Sequence, residues 1–205
     1  LKSVRYGIIE FKNYDLIYLN TIVLVPFIFS SRWNNKTIIH VRDIAPGYLK
    51  NIFKLLLSFS RSKLIFNSNY LKDYFQLTGA VIHNGVAPSK MKKTRNLINY
   101  RRALNIVFIG RINGWKGLDD LLIALAGIDD GIIESLAIYG DCFEGQEVYL
   151  EQAIELSKKV RNVKISFMGF KANAVDYLKE FDLIVVPSKE PEPFGRVVIE
   201  AMAAG

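Results

Sequence analysis

Residues 190–205 read Glu190-Pro191-Glu192-Pro193-Phe194-Gly195-Arg196-Val197-Val198-Ile199-Glu200-Ala201-Met202-Ala203-Ala204-Gly205, and they follow an apolar run ending at Pro187-Ser188. A helix that begins near Gly195 would point its free backbone N–H groups toward the strand end, where they could hold a phosphate. Seven residues separate Glu192 from Glu200, so Glu192 precedes the helix and Glu200 lies about one and a half turns into it. One carboxylate on each side of an anion site suits a diphosphate with hydroxyls at both ends, such as a nucleotide sugar.

Two earlier segments extend this pattern toward the N-terminus. They are Phe108-Ile109-Gly110-Arg111-Ile112-Asn113-Gly114-Trp115-Lys116-Gly117 and Val81-Ile82-His83-Asn84-Gly85-Val86. With residues 190–205 they resemble, in the expected order, three motifs of the retaining GT-B glycosyltransferases of family four. The first is similar to the G-R-x4-K-G segment of the C-terminal domain, and the second is similar to the N-G-V linker between domains.

This resemblance implies two Rossmann-like domains and a metal-independent transfer of sugar from a nucleotide-diphosphate donor to a glycan or lipid-linked acceptor, with retention of anomeric configuration. It also implies that the chain is truncated at both ends, because the family's N-terminal strand with its glycine-rich loop and its last crossing helix have no counterpart here. We therefore expect the 205-residue chain to bind nucleotide weakly and to turn over poorly.

Strand-like apolar runs alternate with helix-like segments along the chain, which is typical of an α/β fold with parallel sheets. We predict strands at residues 15–19, 37–42, 63–67 and 80–83, and then at 105–109, 135–139, 163–168 and 182–187. We predict an incomplete acceptor-side domain at 1–88, a linker at 89–104 and an incomplete donor-binding domain at 105–205. Leu118, Leu121, Leu122 and Leu125 form an i, i+3, i+4, i+7 stripe that predicts a helix packed on a sheet.

The resemblance assigns the site residues. Arg111 and Lys116 would bind the diphosphate beside Gly110, and Glu200 would bind the ribose hydroxyls. Glu192 would bind the donor sugar, and its register with Phe194-Gly195 favours it over Glu190. The backbone N–H groups of Phe194, Gly195 and Arg196 are further candidate ligands for the phosphate.

The acceptor side is less specific. His40 and Arg42 precede Asp43 at a strand end where the family often carries a histidine followed by an acid. The two side chains lie on the same strand face, and the pattern leaves open which of them meets the sugar.

Metals and cofactors are not expected. No group of His, Cys, Asp and Glu has metal-ligand spacing, and the nucleotide sugar is a substrate. Asp141 lacks the second acid of a D-x-D pair. Fixed cations and a helix terminus would take the place of a metal ion.

Composition limits the remaining alternatives. Apolar residues make up 50% and charged residues 23% of the chain, which indicates a packed core. Residues 1–88 hold 11 Lys and Arg against 4 Asp and Glu, whereas the rest is balanced at 16 of each. This basic half could dock on an anionic membrane surface, bind an acidic or lipid-diphosphate acceptor, or be a solvated surface. Segment 48–63 favours the membrane, because it places the cations Lys50, Lys54, Arg61 and Lys63 beside the apolar residues Ile52, Phe53, Leu56 and Phe59.

Nucleic acid is not an expected partner, because no binding motif accompanies the positive charge. A single cysteine, Cys142, fits a reducing compartment, so we expect a cytoplasmic protein, peripheral at the membrane if it docks there. A non-catalytic nucleotide-binding or membrane-docking remnant is the alternative hypothesis.

Overall fold

The computed structural model describes residues 14–25, 36–86 and 103–205. The chain divides into two compact units, Leu1–Gly85 and Val86–Gly205. Each unit is built on its own parallel sheet with helices between the strands, so the predicted α/β fold class is confirmed. The predicted boundary at residue 88 and most of the predicted linker lie outside the described residues.

Unit 1 holds a four-stranded parallel sheet in the order β1-β2-β3-β4. The strands are Ile17–Leu19, Thr37–Val41, Lys63–Phe66 and Ala80–Val81, and a 3-10 turn at Gly47–Leu49 leads into helix α1 at Lys50–Phe59, with α2 at Asn69–Phe75. Each strand pairs with the next in sequence, and helices α1 and α2 lie in the connections from β2 to β3 and from β3 to β4. All four predicted strands of this half are present, each with slightly shorter bounds.

The core of unit 1 lies on the central strands. Ile39 and Val41 of β2 and Phe66 of β3 are fully buried, with Leu71 and Phe75 of α2 covering them. Consecutive strand residues are buried because helices cover both faces of a parallel sheet. Helix α2 begins where Ser68 accepts a hydrogen bond from the Leu71 N–H at 3.2 Å, a side-chain cap that satisfies one of the free donors of the first turn.

Unit 2 holds a second parallel sheet in the order β7-β6-β5-β8. Its strands are Leu104–Ile109 (β5), Ile133–Tyr139 (β6), Lys164–Gly169 (β7) and Leu183–Ile184 (β8), and its helices are α3 at Leu118–Ala126, α4 at Glu147–Ser157, a 3-10 helix at Ala174–Glu180 and α5 at Arg196–Ala204. The predicted leucine stripe of α3 is confirmed: all four side chains are buried against the sheet.

In unit 2, the last strand is much shorter than predicted. Residues 182–187 were expected to be extended, but only Leu183–Ile184 pair as β8. The Val185 N–H still donates to Val107 O at 2.9 Å, after which the Lys189 N–H donates to Trp115 O at 2.8 Å. An edge strand has a neighbour on one side only, so its end can leave the sheet and join a loop.

The strand order positions the site. From β5 the chain proceeds outward through β6 and β7 and then returns to place β8 on the other side of β5. The loops that follow β5 and β8 therefore leave the sheet at the carboxyl ends of two adjacent strands, where the strand order reverses, and line a crevice there. None of the helices in residues 14–25, 36–86 and 103–205 is both long and apolar enough to span a bilayer.

Candidate donor-binding site

The crevice between β5 and β8 is lined by two loops in direct contact. A Cβ on Gly117, whose φ is +73°, would lie 2.0 Å from the carbonyl oxygen of Pro187, so only glycine fits there. The hydrogen bond from the Lys189 N–H to Trp115 O joins the same loops one step further along. In open α/β sheets, ligands bind in this position, outside the carboxyl ends of strands whose order reverses.

An ion pair spans the crevice. Lys116 Nζ donates to Glu192 Oε1 at 2.5 Å, and the side chains are 19% and 20% exposed. The same oxygen accepts a hydrogen bond from Ser188 Oγ at 2.7 Å. These two predicted residues are thus brought together from opposite loops, 76 positions apart in the chain.

The Lys116 side of the pair is held by its own loop. Its backbone N–H donates to Asn113 Oδ1 at 3.1 Å, a turn that fixes the path of the chain before α3. The Lys116 ammonium also lies 4.3 Å from the centre of the Trp115 ring, where the electron-rich face of the indole attracts a cation. The cation therefore has an anchored position instead of the mobility usual for lysine.

Arg111 makes a different contact. Its guanidinium carbon lies 3.3 Å from the centre of the Phe143 ring, in the loop after β6. No hydrogen bond or ion pair of the described residues joins Arg111 to the pair formed by Lys116 and Glu192. The arginine is exposed, so its charge is held by stacking and remains accessible at the mouth of the loop.

The backbone of Gly110 contacts the end of the neighbouring strand β6. Its N–H donates to Tyr139 O at 3.0 Å, and a Cβ on Gly140 would lie 1.8 Å from the Gly110 carbonyl oxygen. The backbone therefore approaches the neighbouring strand end closely at Gly110 and approaches Pro187 closely at Gly117. Both glycines hold the loops of the crevice at their observed spacing.

Helix α5 begins beside Glu192. Gly195 precedes the helix with φ +75° and ψ +53°, and a Cβ there would lie 3.9 Å from the Glu192 Cβ. The left-handed backbone lets the chain turn sharply from the loop into the helix. The predicted loop, glycine and helix order is confirmed, and Phe194 stands half-buried between Glu192 and Gly195.

The second acid of the motif also has a cationic partner. Arg196 Nη2 donates to Glu200 Oε1 at 2.9 Å, with side-chain exposures of 62% and 12%. An arginine at the first helical position opposes the helix dipole, and a basic residue before an acid is the weaker order for such a pair. This pair therefore adds little to the stability of α5.

In unit 1, His40 and Arg42 both contact the neighbouring β1 segment. Tyr18 Oη lies 2.5 Å from His40 Nδ1, and Arg42 Nη1 donates to Asn20 Oδ1 at 3.0 Å. Contacts to alternate residues agree with the predicted shared face. Burial, and secondarily the charge of Arg42, lower the pKa of His40, so the imidazole is neutral at neutral pH.

Three buried side-chain atoms near this strand end have no hydrogen-bond partner among the described residues: His40 Nε2, Asp43 Oδ2 and Asn67 Oδ1. Buried polar atoms normally form hydrogen bonds. The atoms at the carboxyl end of β2 are therefore available to bind further polar groups. Within the described part of the chain, no group of three or more His, Cys, Asp or Glu residues could hold a metal ion. Metal independence stays a prediction.

Sequence reasoning missed several residues that organise the site. Asn113 and Ser188 lie inside quoted motifs, and their short polar side chains were the available signal. Phe143 carries no signal, because its contact with Arg111 depends on β6 lying next to β5. Glu190, the alternative to Glu192, is exposed.

The geometry agrees with comparisons to known proteins. Residues 91–205 match the family model described as glycosyl transferases group 1. The chain is 34% identical over 139 residues to the uncharacterized glycosyltransferase MJ1607 of Methanocaldococcus jannaschii, covering 61% of this chain and 34% of the relative. It is 28% identical over 181 residues to the lipopolysaccharide 1,2-N-acetylglucosaminetransferase of Salmonella typhimurium, covering 77% and 46%.

Among solved structures, Anabaena Alr3699/HepE in complex with UDP and glucose superposes with a TM-score of 0.79 at 26% identity, covering 98% of this chain and 60% of that one. A Rickettsia africae glycosyltransferase superposes with a TM-score of 0.70 at 20% identity, covering 100% and 60%, and supports the fold alone. The chain thus spans about a third to three fifths of the length of these proteins. With residues 91–205 matched and both parallel sheets of the GT-B architecture present, the chain belongs to the group 1 glycosyl transferases.

Proposed function

We propose that the protein is a retaining glycosyltransferase of family four that moves a sugar from a nucleotide-diphosphate donor to a glycan or lipid-linked acceptor, without a metal ion. The observation that carries the proposal is the ion pair of Lys116 and Glu192 in the crevice where the strand order reverses, beside the start of α5. The Anabaena structures with UDP and with UDP-glucose support the donor class. Family membership favours an enzyme over the non-catalytic remnant.

The donor would lie across the crevice with its diphosphate between the two loops. Lys116 and Arg111 would bind the diphosphate oxygens, together with the backbone N–H groups of Phe194, Gly195 and Arg196. When the bond to the anomeric carbon breaks, negative charge grows on the departing diphosphate, and fixed cations lower the energy of that state. Because these cations are already anchored, little reorganisation accompanies the reaction.

The two acids would hold the ends of the donor. Glu200 is 12% exposed, and a carboxylate in this setting can accept hydrogen bonds from both ribose hydroxyls. Glu192 would accept hydrogen bonds from the sugar and hold the ring while positive charge develops at its anomeric carbon. Retention would follow from attack by the acceptor on the face that the diphosphate leaves, a step that rests on the resemblance to the family.

On the acceptor side, His40 and Arg42 are the proposed contacts to sugar hydroxyls. The unpartnered His40 Nε2 supports this role, since a neutral imidazole nitrogen can accept or donate a hydrogen bond depending on its tautomer. Arg42 is the weaker candidate for this contact, because its guanidinium already donates a hydrogen bond to Asn20.

Donor binding tests the proposal. Ligand-observed NMR titrations of the 205-residue chain with UDP, GDP and ADP, and with UDP-glucose and UDP-N-acetylglucosamine, should detect at least one nucleotide. Lys116→Ala should weaken its binding at least about tenfold, since a hydrogen bond to a charged group contributes about 1.5–3 kcal/mol. Lys158→Ala is the matched control, because Lys158 forms an exposed ion pair on α4. Equal effects of the two variants, or no binding of any nucleotide, would refute the donor site.

A second proposal concerns the basic first half of the chain. We propose that α1 docks on an anionic membrane surface, which would make the protein peripheral at the cytoplasmic face. Ile52, Leu55 and Phe59 follow a spacing of three and four residues, which places them on one side of α1, and Tyr48 lies in the 3-10 turn that precedes it. In this order they are 52%, 57%, 65% and 83% exposed.

The sequence grouped different apolar residues into this surface. Phe53 and Leu56 were among the expected apolar contacts, but both pack against the core of unit 1. The exposed stripe instead has Lys50 and Lys54 on its α2 side, where they contact Tyr74 and Gln76. A cation near an anionic bilayer adds about 1 kcal/mol of attraction, which complements the apolar stripe.

Vesicle sedimentation tests the membrane proposal. The chain should bind vesicles of phosphatidylcholine with phosphatidylglycerol better than phosphatidylcholine alone. The double variant Ile52→Ser with Leu55→Ser should lose most of that binding. Ile123→Ser is the matched control, because Ile123 is 57% exposed on α3 of unit 2. Binding that is insensitive to the double variant would refute a role for α1.

A further inference from the structure

The ion pair in the crevice joins two groups that the donor would use separately. Under the proposed function, Lys116 binds the diphosphate and Glu192 binds the sugar. In the structure they bind each other at 2.5 Å. The Lys116 ammonium has three donors, but a diphosphate that approaches it shares its positive charge and weakens its hold on Glu192, so the carboxylate and the nucleotide compete for one cation.

We propose that Glu192 determines specificity for a nucleotide that carries a sugar over the same nucleoside diphosphate without one; this inference rests on the proposed donor site. A nucleoside diphosphate that binds Lys116 leaves Glu192 with Ser188 as its remaining hydrogen-bond partner among the described residues and adds negative charge beside the carboxylate. A nucleotide sugar also takes Lys116, but its hydroxyls donate hydrogen bonds to Glu192 in exchange.

Burial increases the free energy involved in this exchange of partners. Both side chains are about four-fifths buried, and charge interactions strengthen as water is excluded. Removing one partner from a buried pair leaves an uncompensated charge, which is strongly unfavourable. The sugar therefore contributes to binding twice, through its own hydrogen bonds and by compensating Glu192 for the loss of Lys116.

The ion pair on α5 does not share this property. Arg196 is 62% exposed, and an exposed pair of neighbouring helix residues contributes little to either state. Any nucleotide can also supply ribose hydroxyls to Glu200, so this second pair would not separate the donor from the sugar-free nucleotide. Discrimination is assigned to Lys116 and Glu192 alone.

Competition between Glu192 and the diphosphate for Lys116 also affects product release. Once the sugar has left, Glu192 has lost its hydroxyl partners and competes again with the diphosphate for Lys116. Re-forming the ion pair then favours release of the nucleoside diphosphate. Glu192 would thus act at both ends of the cycle, selecting the donor and weakening the hold on the product.

The test is a double-mutant cycle on the 205-residue chain. Ligand-observed NMR titrations use whichever of UDP, GDP and ADP binds most tightly, together with its glucose and N-acetylglucosamine conjugates. Glu192→Gln should tighten binding of the diphosphate about tenfold, or about 1.4 kcal/mol, and should weaken binding of the conjugate that the wild type prefers. In a Lys116→Met background the same substitution should tighten diphosphate binding clearly less than in the wild type, because competition for the lysine is gone and only the direct repulsion between carboxylate and diphosphate remains.

The outcomes distinguish a failure of the specificity role of Glu192 from a failure of the donor site. If the wild type binds diphosphate but Glu192→Gln leaves the affinity unchanged, lowers it, or tightens it equally in both backgrounds, the inference is wrong and the donor site stands. If neither the wild type nor Glu192→Gln binds any diphosphate or conjugate, the donor site itself is refuted, and the inference with it. Glu155→Gln, which removes the partner of exposed Lys158, should leave all affinities unchanged, and thermal melts confirm that each variant is folded.

Discussion

Substituting Gly117 by alanine probes the contact that holds the two loops of the donor site together. Gly117 has φ +73°, and a Cβ there would lie 2.0 Å from the Pro187 carbonyl oxygen. Carbon and oxygen approach to about 3.3 Å in favourable contacts. The loop after β8 would therefore have to move by more than about 1 Å, taking the neighbouring Ser188 with it.

Two costs add in this variant. A left-handed backbone costs an alanine about 1–2 kcal/mol, and forcing a packed contact apart typically costs about 1–3 kcal/mol. We expect Gly117→Ala to lower the free energy of unfolding of unit 2 by about 2–5 kcal/mol. The corresponding fall in melting temperature is on the order of 10 °C.

Gly131 provides a matched control. Its φ is +81°, close to that of Gly117, but no atom lies within 4 Å of a Cβ built on it. Gly131→Ala should therefore show only the backbone cost of about 1–2 kcal/mol. The difference between the two variants isolates the clash with Pro187.

The assay is urea denaturation. Fluorescence of Trp115 in a Trp33→Phe background reports on unit 2 separately, because a chain with two compact units need not unfold in one step. Diphosphate binding should weaken in Gly117→Ala and stay unchanged in Gly131→Ala. Equal loss of stability in the two variants would refute the close contact between the loops.

Three further predictions concern packing, capping and pH. Leu122→Ala should cost about 2–5 kcal/mol in urea denaturation, because Leu122 is fully buried, whereas Ile123→Ala should cost less than about 1 kcal/mol, because Ile123 is exposed. Ser68→Ala should cost unit 1 about 1 kcal/mol by removing the cap that accepts the Leu71 N–H. Burial lowers the folded-state pKa of His40 below 6.5, so the unfolded state binds the proton more readily. Stability measured by urea denaturation should therefore be fully present above pH 6.5 and fall as the pH decreases below it, and this fall should be smaller in His40→Gln.

Each of these has an outcome that contradicts it. Similar costs for Leu122→Ala and Ile123→Ala would mean that α3 does not pack as described. An unchanged stability of unit 1 in Ser68→Ala would show that the cap is replaced by another partner. The same acid-side fall in stability in His40→Gln and in the wild type would assign that fall to other groups.

Much of the local structure was predictable. The leucine stripe fixed the buried face of α3, because residues spaced by three and four positions lie on one side of a helix whatever surrounds it. The glycine and the two acids of residues 190–205 predicted the helix start and the position of Glu200 within α5. The alternation of apolar strands with helices predicted parallel sheets, since a crossover helix returns the chain to the same edge.

The lengths of short strands and the apolar surface of α1 were harder to predict from the sequence. Strand β8 is shorter than its apolar run. The chain leaves the sheet after Val185, and the Lys189 N–H then bonds to Trp115 O in the loop after β5. On α1, the sequence offered Phe53 and Phe59 alike as surface candidates. Only packing against the core of unit 1 separates the buried Phe53 from the exposed Phe59.

The sequence by itself determined the parts of the donor site: a cationic loop after one strand, and an acid, a glycine and a second acid around a helix start. These depend on neighbours within a few positions, and local spacing encodes them. The tertiary structure alone decided how the parts meet. Because β8 pairs beside β5 instead of beyond β7, Lys116 lies against Glu192, and no local pattern specifies a contact between residues 76 positions apart.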